Sequence, residues 1–278
     1  MLKANIDRKV VRGFGDEWER FDQTDLSQSE HLELFNRYFT IFPWHLISQN
    51  SIGFDMGCGS GRWAKLVAPK VKLLHCVDPS SALLVAKRNL SDLTNCIFHS
   101  TSVDEFSIDP NSMDFGYSLG VLHHIPNTAA ALKDCVDKLK PGAPFLLYLY
   151  YAFDNKPIWF KFFFSISNVI RIIVSRLPHF LRYFVTQIIA AVIYFPLARL
   201  SMLMEKMGLN IAKMPLSAYR KSSFYTMRTD ALDRFGTQLE QRFTRIEIEE
   251  MMLAAGLKEI KFSNSIPYWC AVGIKNQN

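Results

Sequence analysis

The chain has 278 residues, a length near the upper limit of what a single hydrophobic core organises. Apolar residues make up 49% and charged residues 21%, a composition that excludes intrinsic disorder as the main description of the chain. The net charge of +6 is uneven: residues 1–150 carry 15 basic and 17 acidic side chains, whereas residues 151–278 carry 17 and 9, so the positive excess lies in the second half.

The first 150 residues predict an N-terminal helical segment followed by alternating strands and helices. Residues 1–50 are rich in aromatic side chains and show helical spacing at 27–39. From residue 51 to 151, short apolar runs alternate with amphipathic stretches. We predict strands at 52–57, 72–77, 95–99, 113–118 and 143–151, and helices at 61–69, 80–90 and 127–140.

The pattern is interrupted by a long apolar and basic insertion at 152–235 and then resumes. Thr244 and Glu247 form a T-x-x-E capping box that begins a helix, and Gly256 ends it. Two more strands are predicted at 258–264 and 268–274. Strands that alternate with helices predict a doubly wound, mostly parallel α/β sheet, so we expect 51–151 and 236–278 to form one core.

The first predicted strand ends in the glycine-rich sequence DMGCGSG at residues 55–61. Its three glycines allow a tight turn and a close approach of a ligand to the backbone. Asp78 ends the next strand, where a carboxylate can accept the hydroxyls of a ribose. The dinucleotide fingerprint would need glycine in place of Arg62, and Asp55 would repel a pyrophosphate but attract an ammonium group. The loop therefore predicts a cationic nucleoside cofactor such as S-adenosylmethionine.

Together with later motifs, this loop resembles that of the class I S-adenosylmethionine-dependent methyltransferase family. The resemblance covers about 51–151 and 244–275, and it rests on the loop, on Asp78, on SMDF at 112–115 followed by GVLHH at 120–124, and on LKPG at 139–142. It implies a Rossmann-like sheet of seven strands, mostly parallel with the last strand antiparallel, a helical insertion after the fifth strand, and S-adenosylmethionine as the cofactor.

The resemblance also implies a set of cofactor-binding residues. Asp55 and the loop backbone would hold the methionine part, and Asp78 would bind the ribose. The full implied set is Asp55, Gly57, Cys58, Gly59, Gly61, Asp78, Pro79, Ser102, Val103, Leu119 and Gly120. Many family members have an aspartate where Ser102 stands, so the adenine contact there differs. Each motif also has a structural alternative, in which the glycine turn binds nothing and Asp78 caps the following helix.

Methyl transfer is an in-line displacement, and its main requirement is a well-held acceptor, ideally with its proton removed. His123 and His124 follow the fourth strand and are the candidate catalytic residues. The alternative is that at least one of them is structural. We expect Cys58 to be a small buried residue and predict no metal site. Arg228 could pair with an anionic acceptor group, although a surface ion pair is its commoner role.

Residues 156–204 contain six basic residues and no acidic one. Within a predicted helix at 158–175, polar residues recur at three- and four-residue steps and form one stripe among large apolar side chains; a second helix is predicted at 179–195. A basic stripe beside a broad apolar face is typical of a helix at an anionic membrane surface. The alternatives are a lid over the catalytic core or contact with a second subunit in a homodimer. Basic residues set among aliphatic ones argue against nucleic acid as a partner.

The sequence thus predicts an enzyme that methylates an oxygen or nitrogen atom of a small acceptor, hydrophobic or linked to a lipid or saccharide. The alternative is a non-catalytic, membrane-peripheral binding or scaffold protein with the same fold. Five scattered cysteines and a charged segment at 1–7 predict a reducing, cytoplasmic location, with membrane association as an addition. The longest uncharged apolar run, 183–198, has 16 residues, so no spanning helix is expected, because one needs about 20.

Overall fold

The computed structural model describes residues 5–211 and 214–277. The chain divides into two compact units. The first, the sheet unit, comprises Met1–Gln23, His31–Ala152 and Leu239–Asn278. The second, the helical unit, comprises Thr24–Glu30 and Phe153–Gln238.

The sheet unit contains a seven-stranded sheet with the strand order β3-β2-β1-β4-β5-β7-β6. β1 to β5 pair in parallel, and β7 pairs antiparallel with β5 and with β6. The strands are β1 (Ile52–Met56), β2 (Leu73–Val77), β3 (Cys96–His99), β4 (Phe115–Leu119), β5 (Pro144–Tyr148), β6 (Leu257–Phe262) and β7 (Cys270–Lys275). This order and the antiparallel last strand confirm the predicted fold class.

Ten α-helices accompany the sheet in the described part of the chain, and α6 to α9 belong to the helical unit. They are α1 (Arg8–Arg20), α2 (Gln28–Phe39), α3 (Ala64–Val67), α4 (Ala82–Asn89), α5 (Thr128–Lys138), α6 (Ile158–Val174), α7 (His179–Ile189), α8 (Phe195–Lys206), α9 (Phe224–Gly236) and α10 (Arg245–Ala254). The predicted helix at 61–69 shortens to α3 and a 3-10 turn, because Pro69 has no N–H to continue the helical hydrogen bonds. The predicted capping box at the start of α10 is present.

Two reciprocal glycine–phenylalanine contacts hold β1 against β4 in the middle of the sheet. Gly53 pairs with Phe115, and Phe54 pairs with Gly116 on the next position. A Cβ atom added at Gly116 would lie 2.3 Å from the ring of Phe54, which is fully buried. The missing side chains therefore make room for the two aromatic rings, and these rings fix the position of the strand that carries Asp55.

We expect Gly116→Ala to destabilise the protein by about 1–3 kcal/mol, because the added methyl overlaps a ring that has no space to retreat. Gly13→Ala is the matched control, since nothing lies within 4 Å of a Cβ at that position in α1. It should be neutral or stabilising by up to about 1 kcal/mol, as alanine favours helix. Chemical denaturation of both variants measures the difference, and equal stabilities would contradict this packing.

The helical unit is built around α9, which packs against α6 and α7. Its buried apolar core is small and consists of Val174, Ile189, Ala190, Tyr194, Ala198, Met227, Ala231 and Phe235. The predicted second helix at 179–195 is longer than expected. A π-helical turn at Ala190–Tyr194 joins α7 to α8, so one continuous helix runs over His179–Lys206.

This longer helix corrects the prediction that no helix could span a membrane. The apolar run at 183–198 is short, but the helix extends past it at both ends to 28 residues, with a mean hydropathy of 1.6 in its most apolar window. By length and composition, this one helix in the described part of the chain could cross a bilayer. Only 28% of that window is buried inside the protein. A single such helix is weak support for a span, because core helices of soluble proteins reach the same values.

The polar stripe predicted on α6 does not face outward along its whole length. Arg171 is buried and donates hydrogen bonds from Nη1 to the carbonyl oxygens of Thr237 and Gln238 at 2.9 and 3.2 Å. Ser175 is buried as well. The C-terminal half of the stripe therefore lies inside the helical unit, because a guanidinium group provides the donors that these loop carbonyls need.

Candidate functional site

The glycine-rich loop lies between the ends of β1 and β2. The N–H groups of Gly57 and Cys58 donate to the carbonyl oxygen of Val77 at 2.7 and 3.0 Å, which ties the loop to β2. Gly57, Gly59 and Gly61 have φ angles of +79°, +52° and +78°. A Cβ at Gly57 would lie 2.4 Å from the side chain of Val121. Glycine is required there both for the backbone conformation and for the narrow gap between the two loops.

Asp55 is the most unusual polar residue of the site. It lies on β1 with 1% of its surface exposed, and its Oδ2 atom has no hydrogen-bond partner among residues 5–211 and 214–277. Burial raises the pKa of its carboxyl group to about 8, although the nearby Tyr117 hydroxyl opposes the shift. A buried carboxylate without a cation is costly. Asp55 therefore fits a bound ammonium group, which would stabilise its charged form.

Asp78 follows β2, and both of its carboxylate oxygens accept hydrogen bonds from the protein. Oδ2 accepts from the N–H of Gly59 at 2.9 Å, and Oδ1 accepts from the N–H and hydroxyl of Ser80 at 2.9 and 2.6 Å. The two hydrogen bonds from Ser80 are those expected if Asp78 caps the following helix, the structural alternative to ribose binding. A carboxylate offers about four acceptor positions, so one remains for a ribose hydroxyl. Pro79 is exposed beside it.

An acidic residue, Asp104, lies two positions after Ser102, the residue at which many family members have an aspartate. Ser102 and Val103 are buried, and the Ser102 hydroxyl donates to Asp104 Oδ1 at 2.7 Å. The N–H of Asn5 donates to Asp104 Oδ2 at 3.0 Å. Partial burial works against ionisation, but these hydrogen bonds prevail and lower the pKa of Asp104. The S-x-D spacing at 102–104 was the signal that could have identified it.

The opposite side of the loop is formed by the end of β4. Leu119 is buried, and Gly120 has a φ of +80° and donates its N–H to the carbonyl oxygen of Tyr148 at 3.0 Å.

Contact with the Cys76 thiol favours ionisation of Cys58, but burial and neighbouring carboxylates raise the pKa of Cys58 to about 11. The thiol is therefore protonated at neutral pH, as expected of a structural cysteine.

His123 and His124 are both buried, but they differ in their contacts. The ring of His123 stacks on Tyr150 at 3.9 Å between centroids and lies 4.0 Å from the ring of His124. Neither nitrogen of its ring has a hydrogen-bond partner in the described part of the chain. Burial, followed by the charges of His124 and Arg242, lowers the pKa of His123 well below its usual value. His123 is therefore neutral and suited to packing.

His124 is held in a defined orientation by a backbone carbonyl. Its Nδ1 atom lies 2.7 Å from the carbonyl oxygen of Leu239, which can only accept a hydrogen bond. In the neutral ring the proton is thus on Nδ1, and Nε2 is the basic nitrogen. The ring also contacts Phe14 of α1 at 4.9 Å. Of the two histidines, His124 has the geometry of a general base.

We expect His123→Phe to leave stability unchanged or slightly increased. The substitution keeps an aromatic ring against Tyr150 and removes two buried nitrogen atoms that have no hydrogen-bond partner among the residues described, and loss of such groups is neutral or favourable. A thermal melt measures the effect. A drop of several degrees in the melting temperature would show that a ring nitrogen of His123 has a structural partner.

The histidines are fixed by a distant segment, residues 239–243, which returns to the sheet after the insertion. Besides the Leu239 contact, the N–H of Gln241 donates to the carbonyl oxygen of His123 at 3.1 Å, and the N–H of Phe243 donates to that of Tyr150 at 2.9 Å. The guanidinium of Arg242 lies 5.0 Å from the centre of the Tyr150 ring. No sequence signal pointed to this segment, because more than 100 residues separate it from the histidines.

Helix α1 covers the glycine loop and was not predicted as part of the site. A Cβ at Gly59 would lie 3.0 Å from Trp18 Nε1, and a Cβ at Gly15 would lie 2.4 Å from Ser81 Oγ. The Arg62 guanidinium lies 5.4 Å from the centre of the Trp18 ring. With Phe14 against His124, α1 contacts both the cofactor loop and the histidines. The i, i+4 spacing of Phe14 and Trp18 could have indicated this face.

Part of the chain is similar to known proteins. Residues 54–147 match a family model described as the methyltransferase domain. The chain is 32% identical over 91 residues to a ubiquinone biosynthesis O-methyltransferase of Saccharophagus degradans, covering 32% of this chain and 39% of that protein. A protein of the same name from Coxiella burnetii is 21% identical over 151 residues, covering 51% and 62%. The matched segments therefore span less than two thirds of these curated relatives.

The structure also resembles a solved one. Phosphoethanolamine N-methyltransferase 2 of Haemonchus contortus, solved in complex with phosphomonomethylethanolamine and S-adenosylhomocysteine, superposes with a TM-score of 0.50 at 17% identity, covering 91% of this chain and 46% of that one. The family match over 54–147 and the shared fold confirm the predicted resemblance to class I S-adenosylmethionine-dependent methyltransferases, a family whose cofactor is S-adenosylmethionine.

Proposed function

We propose that this protein transfers a methyl group from S-adenosylmethionine to an oxygen atom of a small, hydrophobic acceptor. The observation that carries the proposal is the buried Oδ2 of Asp55 beside the glycine loop, which accepts no hydrogen bond from any residue that the structure describes. A buried carboxyl group with a raised pKa is charged at neutral pH only when a nearby positive charge stabilises the carboxylate. The ammonium group of S-adenosylmethionine supplies that charge, and the adjacent Gly57 is partly exposed.

The residues that would hold the cofactor are those of the loop and the neighbouring strand ends. Asp55 would bind the ammonium group, and the remaining acceptor position of Asp78 would bind a ribose hydroxyl. Ser102, Val103 and Leu119 would line the nucleoside and Gly120 would face it from the end of β4. Bound S-adenosylmethionine supplies a methyl group on a positively charged sulfur. The protein then needs to orient the acceptor and to remove its proton.

His124 is proposed as the base for that proton. Its Nδ1–H remains bonded to the carbonyl oxygen of Leu239, so Nε2 can accept the proton of an acceptor hydroxyl and the resulting imidazolium keeps the same hydrogen bond. Phe14 covers the ring and keeps bulk water from it. A base is more useful for a hydroxyl than for an amine acceptor, which supports O-methylation over N-methylation.

The hydrophobic acceptor is proposed on two grounds. The curated relatives are named for O-methylation in ubiquinone biosynthesis, and a large apolar surface lies on the helical unit. The proposed acceptor class is therefore a hydroxylated compound with a lipid or other apolar tail. An acceptor linked to a saccharide belongs to the same proposal, because the methylated atom would again be a hydroxyl oxygen.

Incubation with S-adenosylmethionine labelled in its methyl group tests the proposal. Candidate acceptors are phenols and polyols with apolar tails, and matched amines serve as controls. We expect labelled product and S-adenosylhomocysteine in equal amounts, with no turnover in Asp55→Ala. Binding of the cofactor without turnover on any hydroxylated acceptor would instead favour the non-catalytic scaffold protein.

A further inference from the structure

The outer face of the helical unit consists of apolar side chains. On α6 and on the helix at His179–Lys206, large apolar residues that are 41–86% exposed recur at helical spacing. We call this set the outer face: Ile158, Phe162, Phe163, Ile166, Val169, Ile170, Ile173, Phe180, Leu181, Phe184, Ile188, Val192, Ile193, Leu200 and Leu203. An exposed patch of this extent is far larger than a water-soluble surface normally carries.

Basic side chains are bonded within the same unit, beside its small apolar core. Beside the buried Arg171, the Arg182 guanidinium donates to the carbonyl oxygen of Gly236 at 3.2 Å, and the Arg199 guanidinium donates to that of Arg220 at 2.9 Å. Arg228 donates to the side chains of Gln187 and Tyr183. Arg228, which the sequence suggested for an acceptor, and three of the six basic residues at 156–204 are thus used to hold the helices together.

An apolar face of this size on the outside of the unit is not what water favours. In water, a surface helix turns its apolar stripe toward the core, because burial of apolar area is favourable. In hydrocarbon, apolar side chains face outward at no cost and polar side chains must find partners within the protein. The helical unit keeps a small apolar core, but its outer face follows the second pattern and is suited to an apolar surrounding.

The charges at the rim of the outer face indicate which apolar surrounding this is. Residues 155–204 contain no acidic side chain. Lys161 near the start of α6, Arg176 just after its end, and Lys206 at the end of α8 are exposed. Long basic side chains at the ends of apolar helices reach the headgroups of anionic lipids. A protein partner would not need this combination of a basic rim and an uninterrupted apolar face.

We propose that the helical unit docks on an anionic phospholipid bilayer and inserts its outer face below the headgroups. The 17 residues of α6 give a length of about 25 Å, shorter than a bilayer core of about 30 Å. The helix at His179–Lys206 is long enough, but Arg182 and Arg199 bond within the unit near its two ends. Insertion parallel to the membrane satisfies both helices. This inference does not depend on the proposed methyl transfer.

Flotation of the full chain with vesicles tests the proposal. We expect the protein to float with vesicles of phosphatidylethanolamine and phosphatidylglycerol, and to bind pure phosphatidylcholine vesicles more weakly. Phe162→Gln combined with Ile166→Gln and Ile173→Gln should lower the partition coefficient by about tenfold for each residue. Lys161→Gln and Arg176→Gln should each lower it about fivefold on anionic vesicles, and high salt should mask this effect.

The matched control replaces exposed apolar residues of the sheet unit, Leu84→Gln, Ile246→Gln and Leu253→Gln, which are 56, 67 and 54% exposed. It should change flotation by no more than about twofold. Because all these side chains are exposed, both triple variants should fold, and circular dichroism checks this. No flotation of the wild-type protein, or equal flotation of the two triple variants, would overturn the proposal. So would a lipid-free dimer that only the outer-face variant dissociates, because the face would then join two copies.

Trp159 gives a second measurement, because it is the one tryptophan of the helical unit and is 45% exposed. Vesicles with bromine on the acyl chains should quench its fluorescence. Trp159→Phe should remove most of that quenching, since the other four tryptophans lie in the sheet unit. Unchanged quenching in this variant would place the contact elsewhere and overturn the proposal.

Discussion

Asp55→Asn is expected to weaken the binding of S-adenosylmethionine by about 30- to 5000-fold. Asp55 has a single role in the proposed site, which is to bind the ammonium group of the cofactor in a buried position. Removal of one partner from a buried, hydrogen-bonded charge pair costs about 2–5 kcal/mol, which corresponds to that loss of affinity. Asparagine keeps the size and shape of the side chain, so the loop geometry should survive.

The same substitution is expected to stabilise the protein in the absence of cofactor. The pKa of Asp55 rises to about 8 on folding, from an ordinary value of 3.8. A raised carboxyl pKa means that stability falls as pH increases from about 4 to 8 and is constant above. At pH 7 the raised pKa lowers the free energy of unfolding of the wild-type protein by on the order of 4 kcal/mol, and asparagine avoids this loss. Opposite signs for stability and affinity distinguish a binding residue from a structural one.

The raised pKa also predicts how cofactor affinity depends on pH. Because the ammonium group needs the charged carboxylate, binding releases a proton from Asp55, and affinity should rise by up to tenfold per pH unit between pH 6 and 7.5. Asp55→Asn should remove this dependence. The matched control is Asp114→Asn, since Asp114 pairs with Lys140 at 2.6 Å and accepts from the N–H of Ile52 at the opposite end of β1. It should lower stability and leave cofactor affinity unchanged.

His124→Ala is expected to lower kcat by about 10²- to 10⁴-fold, the usual contribution of a general base. Cofactor affinity should change by less than about threefold, because no cofactor contact is assigned to His124. The pH profile of kcat should also lose its acidic limb, which reports protonation of Nε2. Added imidazole should restore part of the activity of the alanine variant.

His123→Phe is the matched control for the base, because it changes the adjacent ring and leaves the Leu239 contact in place. It should retain most of the wild-type kcat. Similar losses in the two variants, or an alanine variant that keeps its acidic limb, would contradict the assignment of His124. That outcome would indicate methyl transfer controlled by orientation alone, with the proton lost to water.

The sheet could be predicted from the sequence because its information is local. The glycine loop, Asp78 and the LKPG turn mark strand ends within a few residues, and the alternation of strands and helices gives their order. The difference between His123 and His124 could not be predicted in this way. It depends on the carbonyl of Leu239, which the insertion separates from them by more than 100 residues.

The hydrophobic periodicity of the sequence could not predict the orientation of α6 either. Spacing identifies a polar stripe and an apolar stripe, but it does not say which of them faces the protein. Apolar residues usually lie inside a protein, and the predicted basic stripe implied that the cations of α6 lie on its surface. In the structure Arg171 is buried because the loop carbonyls at 237–238 need donors, so the apolar stripe is left on the outside.

The central claim is that the buried Asp55 and the glycine loop form a site for S-adenosylmethionine. Calorimetric titration of the wild-type chain with S-adenosylhomocysteine at pH 7.5, repeated in buffers of different ionisation enthalpy, tests it most directly. The account predicts saturable binding at one site per chain, with release of protons that is absent in Asp55→Asn. No binding by the wild-type protein, or binding of equal affinity with no proton release in both proteins, would contradict it.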